Sequence, residues 1–159
     1  MPVRRTAGFT LIEIVLSVFI LMLLLVLAVP SLSGLMADKR LRRSLDRFNE
    51  LAHQAQQKSI AEHRAYLLTW TSKAIELRPE TLTDSDGPDP AARLVPASGE
   101  SYSLALPFAL MKDPPAEWIF WPSGTCEPAD VTFKSRNGTW TASYSPLTTQ
   151  AELTAYVAR

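Results

Sequence analysis

The sequence predicts an α+β protein: a long N-terminal helix whose first half suits a bilayer, packed through its second half against a small antiparallel β-sheet. Three observations lead there. An apolar run extends from Phe9 to Val29. A helical stripe of apolar side chains begins at Leu41. Beyond His63 the chain turns proline-rich and alternates apolar with polar residues, most clearly around Asn137-Gly138.

The apolar run comes first. Ile14 to Val29 carries no charge, and Ser17 is its only polar side chain. With Phe9 to Ile12 added it reaches the roughly 20 residues that a membrane span needs. Arg4 and Arg5 precede it, which places the N-terminus on the cytoplasmic side. A cleaved secretory signal would have a shorter core followed by a small-residue cleavage site, and no A-x-A pattern follows here. One residue stands out. Glu13 lies inside the run, although a carboxylate at the centre of a membrane helix costs about 2.5–3.5 kcal/mol.

The second half of the helix is amphipathic. Leu41, Leu45, Phe48, Ala52 and Ala55 recur at three-and-four spacing, with Ile60 close to the same stripe. Pro30 is expected to interrupt the two halves, and Ser33-Gly34 to weaken the join. From Phe9 to Glu62 such a helix is roughly 80 Å long, of which a bilayer core takes about 30 Å. The outer part must bury its stripe against something.

The rest of the chain supplies that partner. Nine of the twelve prolines lie between Pro79 and Pro128, which excludes a long helix there. AYLLTW and AIEL read as two strands around Ser72-Lys73, pairing Trp70 with Ile75 and Leu68 with Leu77. TLTDSDGPDPAARLVPASGE reads as surface loop, YSLAL and WIFW as strands, and ELTAYV as a last strand. In DVTFKSRNGTWTASY, Asn137-Gly138 is the favoured two-residue hairpin turn. That turn pairs Phe133 with Ala142, Val131 with Tyr144 and Ser135 with Trp140, leaving Thr132, Lys134, Arg136, Thr139, Thr141 and Ser143 on the opposite face.

Gly8 followed by FTLIE resembles the prepilin processing site of type IV pilins and type II secretion pseudopilins. The basic leader, Gly8, Phe9, Glu13 and the apolar helix ending at Pro30 coincide as they do in that family. The second half is similar to the H-type minor pseudopilins in chain size, in WPSGT and in GTWTASYSPLT. The resemblance implies a pilin-like fold and these parts: a leader over 1–8, a transmembrane helix half over 9–30, an amphipathic half over 31–64, and a periplasmic β-sheet domain over 65–159. It implies that a membrane aspartyl prepilin peptidase cuts between Gly8 and Phe9 and methylates the new amine. It also implies that Glu13 neutralises that amine on a neighbouring subunit. In physical terms, two buried charges that are each costly alone offset one another when paired. Met22 stands where the family often has a glycine that helps the helix melt during assembly.

The implied role is that of a structural minor pseudopilin, held single-pass in the inner membrane with its C-terminal domain in the periplasm. It would build a filament that drives protein export. Its partners would be other pseudopilins or pilins, the peptidase, the inner-membrane assembly platform and membrane lipid. The alternative is a minor type IV pilin serving pilus assembly or DNA uptake. Zero formal net charge gives no global signal for nucleic acid, and none is expected as a partner. Lys134 and Arg136 are too few for a phosphate-tracking surface. The presence of Glu13 argues against the tip subunit, which in the family lacks it.

No enzyme, cofactor or metal is expected. His53, Glu62 and His63 do not fall at metal-ligand spacing on one helical face. Cys126, the only cysteine, has no local base and reads as a loop or half-buried thiol. The carboxylates from Asp84 to Asp89 begin like a calcium loop but lack its closing bidentate glutamate.

Overall fold

The computed structural model describes residues 10–83, 86–111 and 114–158, with side chains outside 26–35. The chain divides into two compact units, Met1–Met36 and Ala37–Arg159. Helix α1, Leu11–Ala61, is a single helical element. The interruption expected at Pro30 is therefore not found. Proline removes one amide from the ladder and crowds the carbonyl four residues back, but it takes away only that rung. Helical turns before and after it carry the backbone past.

In the first unit every large apolar side chain from Leu11 to Leu25 is exposed, the least of them by 49%. A helix that is apolar all round has no solvent face and requires cover. Among the described residues no helix is long and apolar enough to cross a membrane. The full sequence run extends beyond them, to Phe9 at one end and the side chains of 26–29 at the other.

The second unit is α+β. Its strands are β1 (Tyr66–Trp70), β2 (Ile75–Pro79), β3 (Ala92–Leu94), β4 (Ser101–Ala105), β5 (Glu117–Phe120), β6 (Ala129–Ser135), β7 (Gly138–Tyr144) and β8 (Ala151–Ala158). They form two antiparallel sheets of four strands, in the orders β3-β2-β1-β5 and β4-β6-β7-β8, where the sequence suggested one small sheet. Strand β3 lies inside the stretch read as loop. Three residues of half-buried edge strand carry too little alternation to register.

The β1–β2 register is the expected one, with Leu68 opposite Leu77 and Trp70 opposite Ile75. The β6–β7 register is two residues tighter than expected: Phe133 pairs with Trp140, Val131 with Ala142 and Ser135 with Gly138. Arg136 and Asn137 form the turn. Gly138 is withheld from it because the strand needs it. A Cβ there would lie 2.0 Å from the Val157 carbonyl oxygen and 2.9 Å from Leu41 Cδ1. Ser135 serves the turn instead, its hydroxyl accepting the Asn137 amide and donating to the Gly138 carbonyl. A shift of two preserves the faces, so Val131, Phe133, Trp140, Ala142 and Tyr144 are all buried.

The outer part of α1 is the seam between the sheets. Leu41, Phe48, Ala52 and Ala55 are fully buried as the stripe requires, and Leu51 joins them. Ile60 is 46% exposed, and Ser59 is buried in its place. Phe48 stacks on Trp118 and tilts against Trp70 from the first sheet. From the second sheet it meets Tyr102, Trp140 and Tyr144, all ring centroids lying within 6.4 Å. The indole N–H groups are satisfied, as buried tryptophans require. Trp118 donates to the Glu127 carbonyl, Trp140 to Ser44 Oγ and Trp70 to the Tyr102 carbonyl.

Candidate functional site

Glu13 lies in the first turn of α1. Its backbone amide donates to the Thr10 carbonyl at 3.0 Å, and its carbonyl accepts the Ser17 hydroxyl at 2.7 Å. The carboxylate reaches back toward the Thr10 amide, with Oε2 at 3.5 Å. Thr10 and Glu13 therefore stand at the spacing of a capping box, and the glutamate supplies one half of it. The T-x-x-E signal is present in the sequence and was masked there by the apolar run. The helix dipole also favours an anion at this end. The side chain is exposed, surrounded by the apolar residues of the same unit. Such a carboxylate is available to a cation brought by another chain. Gly8 and Phe9 lie outside the described residues.

The second unit carries a foot, where the helix begins its contact with the sheets. Tyr156 of β8 donates its hydroxyl to Asp38 Oδ1 at 2.5 Å, and Arg42 pairs with Asp38 Oδ2 at 2.9 Å. The Tyr156 hydrogen bond, and then Arg42, hold the Asp38 carboxyl below its usual range. Burial and the bond to Asp38 push the Tyr156 phenol up to about 12. Sequence reading missed this cluster because its partners are 118 positions apart.

Two further ionic clusters fix the surface of the sheets. Glu76 of β2 is 9% exposed in its side chain and accepts Arg93 at 2.6 Å and Arg78 at 3.1 Å. Arg93 first, and then Arg78, lower its carboxyl pKa. At the far end of the helix, Arg64 holds both oxygens of Asp86 at 2.6 Å and also pairs with Glu62. The Arg64 hydrogen bonds, with Thr83 behind them, hold the Asp86 carboxyl well below the usual range. This carboxylate of the stretch that begins like a calcium loop is thus engaged by a guanidinium, and Asp84 lies outside the described residues.

The remaining candidates do not converge. His53 and His63 are exposed, and His63 has a φ of 51° just past the helix end. Among the described residues no three of His, Cys, Asp and Glu are grouped to hold a metal ion. Cys126 is buried, donates to the Ser145 carbonyl, and has its thiol pKa raised by burial.

No family model matches the sequence, and no curated protein is recognisably similar to it. Solved structures are similar to it in fold. The type IV minor pilin FimU of Pseudomonas aeruginosa superposes with a TM-score of 0.52 at 12% identity, covering 72% of this chain and 93% of that one. A second crystal form of FimU gives 0.53 at 12% identity, with 74% and 90% covered. The minor pseudopilin EpsH from the type 2 secretion system of Vibrio cholerae gives 0.48 at 11% identity, with 74% and 96% covered. At such identities the FimU likeness is one of fold: this chain has a pilin-like α+β architecture.

Proposed function

We propose that this pilin-like chain is a structural subunit of a filament, made as a precursor, cut between Gly8 and Phe9, and held in the inner membrane by residues 9–30. Its C-terminal domain stands in the periplasm, and it works as a minor pseudopilin of a type II secretion pseudopilus. The observation that carries the reading is the placement of Glu13. A carboxylate in the first turn of an all-round apolar helix loses its water once that helix is covered, and it then suits the N-terminal amine that cleavage at Gly8 would create on a neighbour. The pilin-like fold of the second unit supports it. Partners on this reading are other pilin-like subunits, the prepilin peptidase, the assembly platform and membrane lipid.

The minor type IV pilin is the second reading, favoured by the fold likeness to FimU. N-terminal sequencing of the membrane-extracted protein tests the common part. A terminus at Phe9 agrees with it, and a terminus beyond Val29 overturns it. Disrupting the gene separates the two readings. Loss of protein export with intact pili supports the pseudopilin, and loss of pili with intact export supports the pilin. The genes beside it, of a secretion or a pilus operon, should agree.

A further inference from the structure

At the foot of the second unit, Arg40 of α1 and Arg136 of the β6–β7 turn line one depression of about 360 Å³ with Ser98, Glu100, Ser135 and Asn137. Gly99 has a φ of 82°, and a Cβ there would lie 3.7 Å from Arg136 Nε, so the backbone of this turn passes close beside the guanidinium. The acid in the depression is already occupied in part, because Glu100 Oε2 accepts the Ala97 amide at 3.0 Å. Lys39 and Arg43 on the same helix and Lys134 on β6 are exposed as well. None of these cations, nor Arg40 or Arg136, has an ion pair among the described residues. Arg42 alone is spent, on Asp38. Arg40 and Arg43 stand three residues apart, on one face of the helix.

Unpaired cations on one foot, two of them converging on a walled depression, favour an anion there. Two guanidiniums with hydroxyl and amide donors between them match the oxygens of a phosphodiester. The chain itself narrows the source. Arg40 lies eleven positions after Val29, the end of the apolar run. On the reading of that run as a span, the chain tethers this foot to a phosphate-bearing bilayer, and basic clusters beside a span are drawn to anionic leaflets. We propose that this foot is a binding surface for the headgroups of anionic phospholipid, with one phosphate seated between Arg40 and Arg136. The inference rests on the reading of residues 9–30 as a membrane span. It gives the unassembled subunit a docked position on the membrane from which it is drawn into the filament.

The test uses the full chain in neutral-detergent micelles at low salt, titrated with short-chain phosphatidylglycerol, short-chain phosphatidylcholine or inorganic phosphate, and read by the thermal midpoint from tryptophan fluorescence. Phosphatidylglycerol should raise the midpoint, phosphatidylcholine and phosphate at equal concentration should not, and added salt should weaken the effect. Arg40→Gln with Arg136→Gln should lower the apparent affinity at least tenfold. Lys58→Gln, toward the other end of the helix and in a surface pair with Glu62, should not lower it and serves as the folded control. The proposal is overturned by unchanged affinity in the double variant, by phosphate acting as well as phosphatidylglycerol, or by a double variant that binds lipid normally but fails to enter filaments, which would make the foot a contact between subunits. Carbonate extraction of the unaltered chain from membranes reads the span separately. Release there sinks the span, whereas a failed titration with the chain retained sinks only the headgroup site.

Discussion

The Tyr156 hydroxyl meets Asp38 Oδ1 at 2.5 Å, joining the last strand of the chain to the first turns of helix in the second unit. Among the described residues strand β8 pairs only with β7, it is otherwise mostly exposed, and its register shifts at Thr141/Ala142. The phenol–carboxylate bond is its side-chain tie to the helix at that end. In Tyr156→Phe the β8 amides should exchange hydrogen faster, while those of β6 stay protected. Equal protection of β8 in parent and variant would show that the tie is decorative.

Trp140 and Lys134 test the corrected hairpin register. Trp140 is fully buried between Phe133 and Phe48 and bonded to Ser44, and Lys134 is exposed. Trp140→Ala should cost about 3–5 kcal/mol. Lys134→Ala should stay within about 0.5 kcal/mol. Denaturant melts of both variants decide, and comparable losses would contradict a buried Trp140 face and an exposed Lys134 face.

Gly138→Ala should cost at least about 1–3 kcal/mol, although it adds one methyl group. The new Cβ has backbone, not a flexible side chain, 2.0 Å away, and φ is 138°. Asn137→Ala, in the turn proper, should be milder. If the order of the two melting temperatures is reversed, the turn is Asn137-Gly138 after all.

Glu76 makes stability depend on pH. Its folded pKa is depressed by Arg93 and Arg78, so its contribution is complete above the unfolded glutamate value of about 4.3 and is lost as pH falls through the folded value. Asp86, held low by Arg64, acts in the same direction and further into acid. Melting temperature should therefore fall on acidification from about pH 5 downward. The decline should be shallower in Glu76→Gln, which starts lower near neutrality. A parallel decline would exclude Glu76 as a contributor.

On the proposed reading, Glu13→Leu should still enter the membrane and still be cut after Gly8, because the costly charge is gone and the leader junction is intact. It should not be incorporated into filament, because the neighbour's amine would be buried alone, at ~3–5 kcal/mol. Glu13→Gln should fail nearly as badly, and Glu13→Asp should work in part. The yield of sheared or crosslinked filament, beside a processing check, is the measurement. Normal assembly of Glu13→Leu would reduce the carboxylate to a helix cap for Thr10.

Where sequence signals are local, they read through. The stripe from Leu41 to Ala55 became the helix seam, and both hairpins appeared with the faces expected of them. The errors lie where distant chain decides. Asn137-Gly138 is the better isolated turn, but Leu41 and Val157 approach so closely that the glycine must sit in the strand. Strand β3 exists because Ala92–Leu94 pairs with β2 and brings Arg93 to Glu76. No periodicity over three residues announces that. The division into two sheets, and the foot where Arg40 meets Arg136, are likewise products of topology.

Phe48 has a consequence for how the domain melts. Its ring is covered from two directions by strands that share no ladder. A chain with only one sheet docked would leave part of that ring wet and the helix stripe half exposed. Each sheet therefore raises the other's affinity for the helix, and the two behave as ligands bound with positive cooperativity to a common receptor. Neither half should appear alone at equilibrium. A substitution in β1 should loosen β7 as surely as one in β7 itself, although no backbone hydrogen bond joins those two strands.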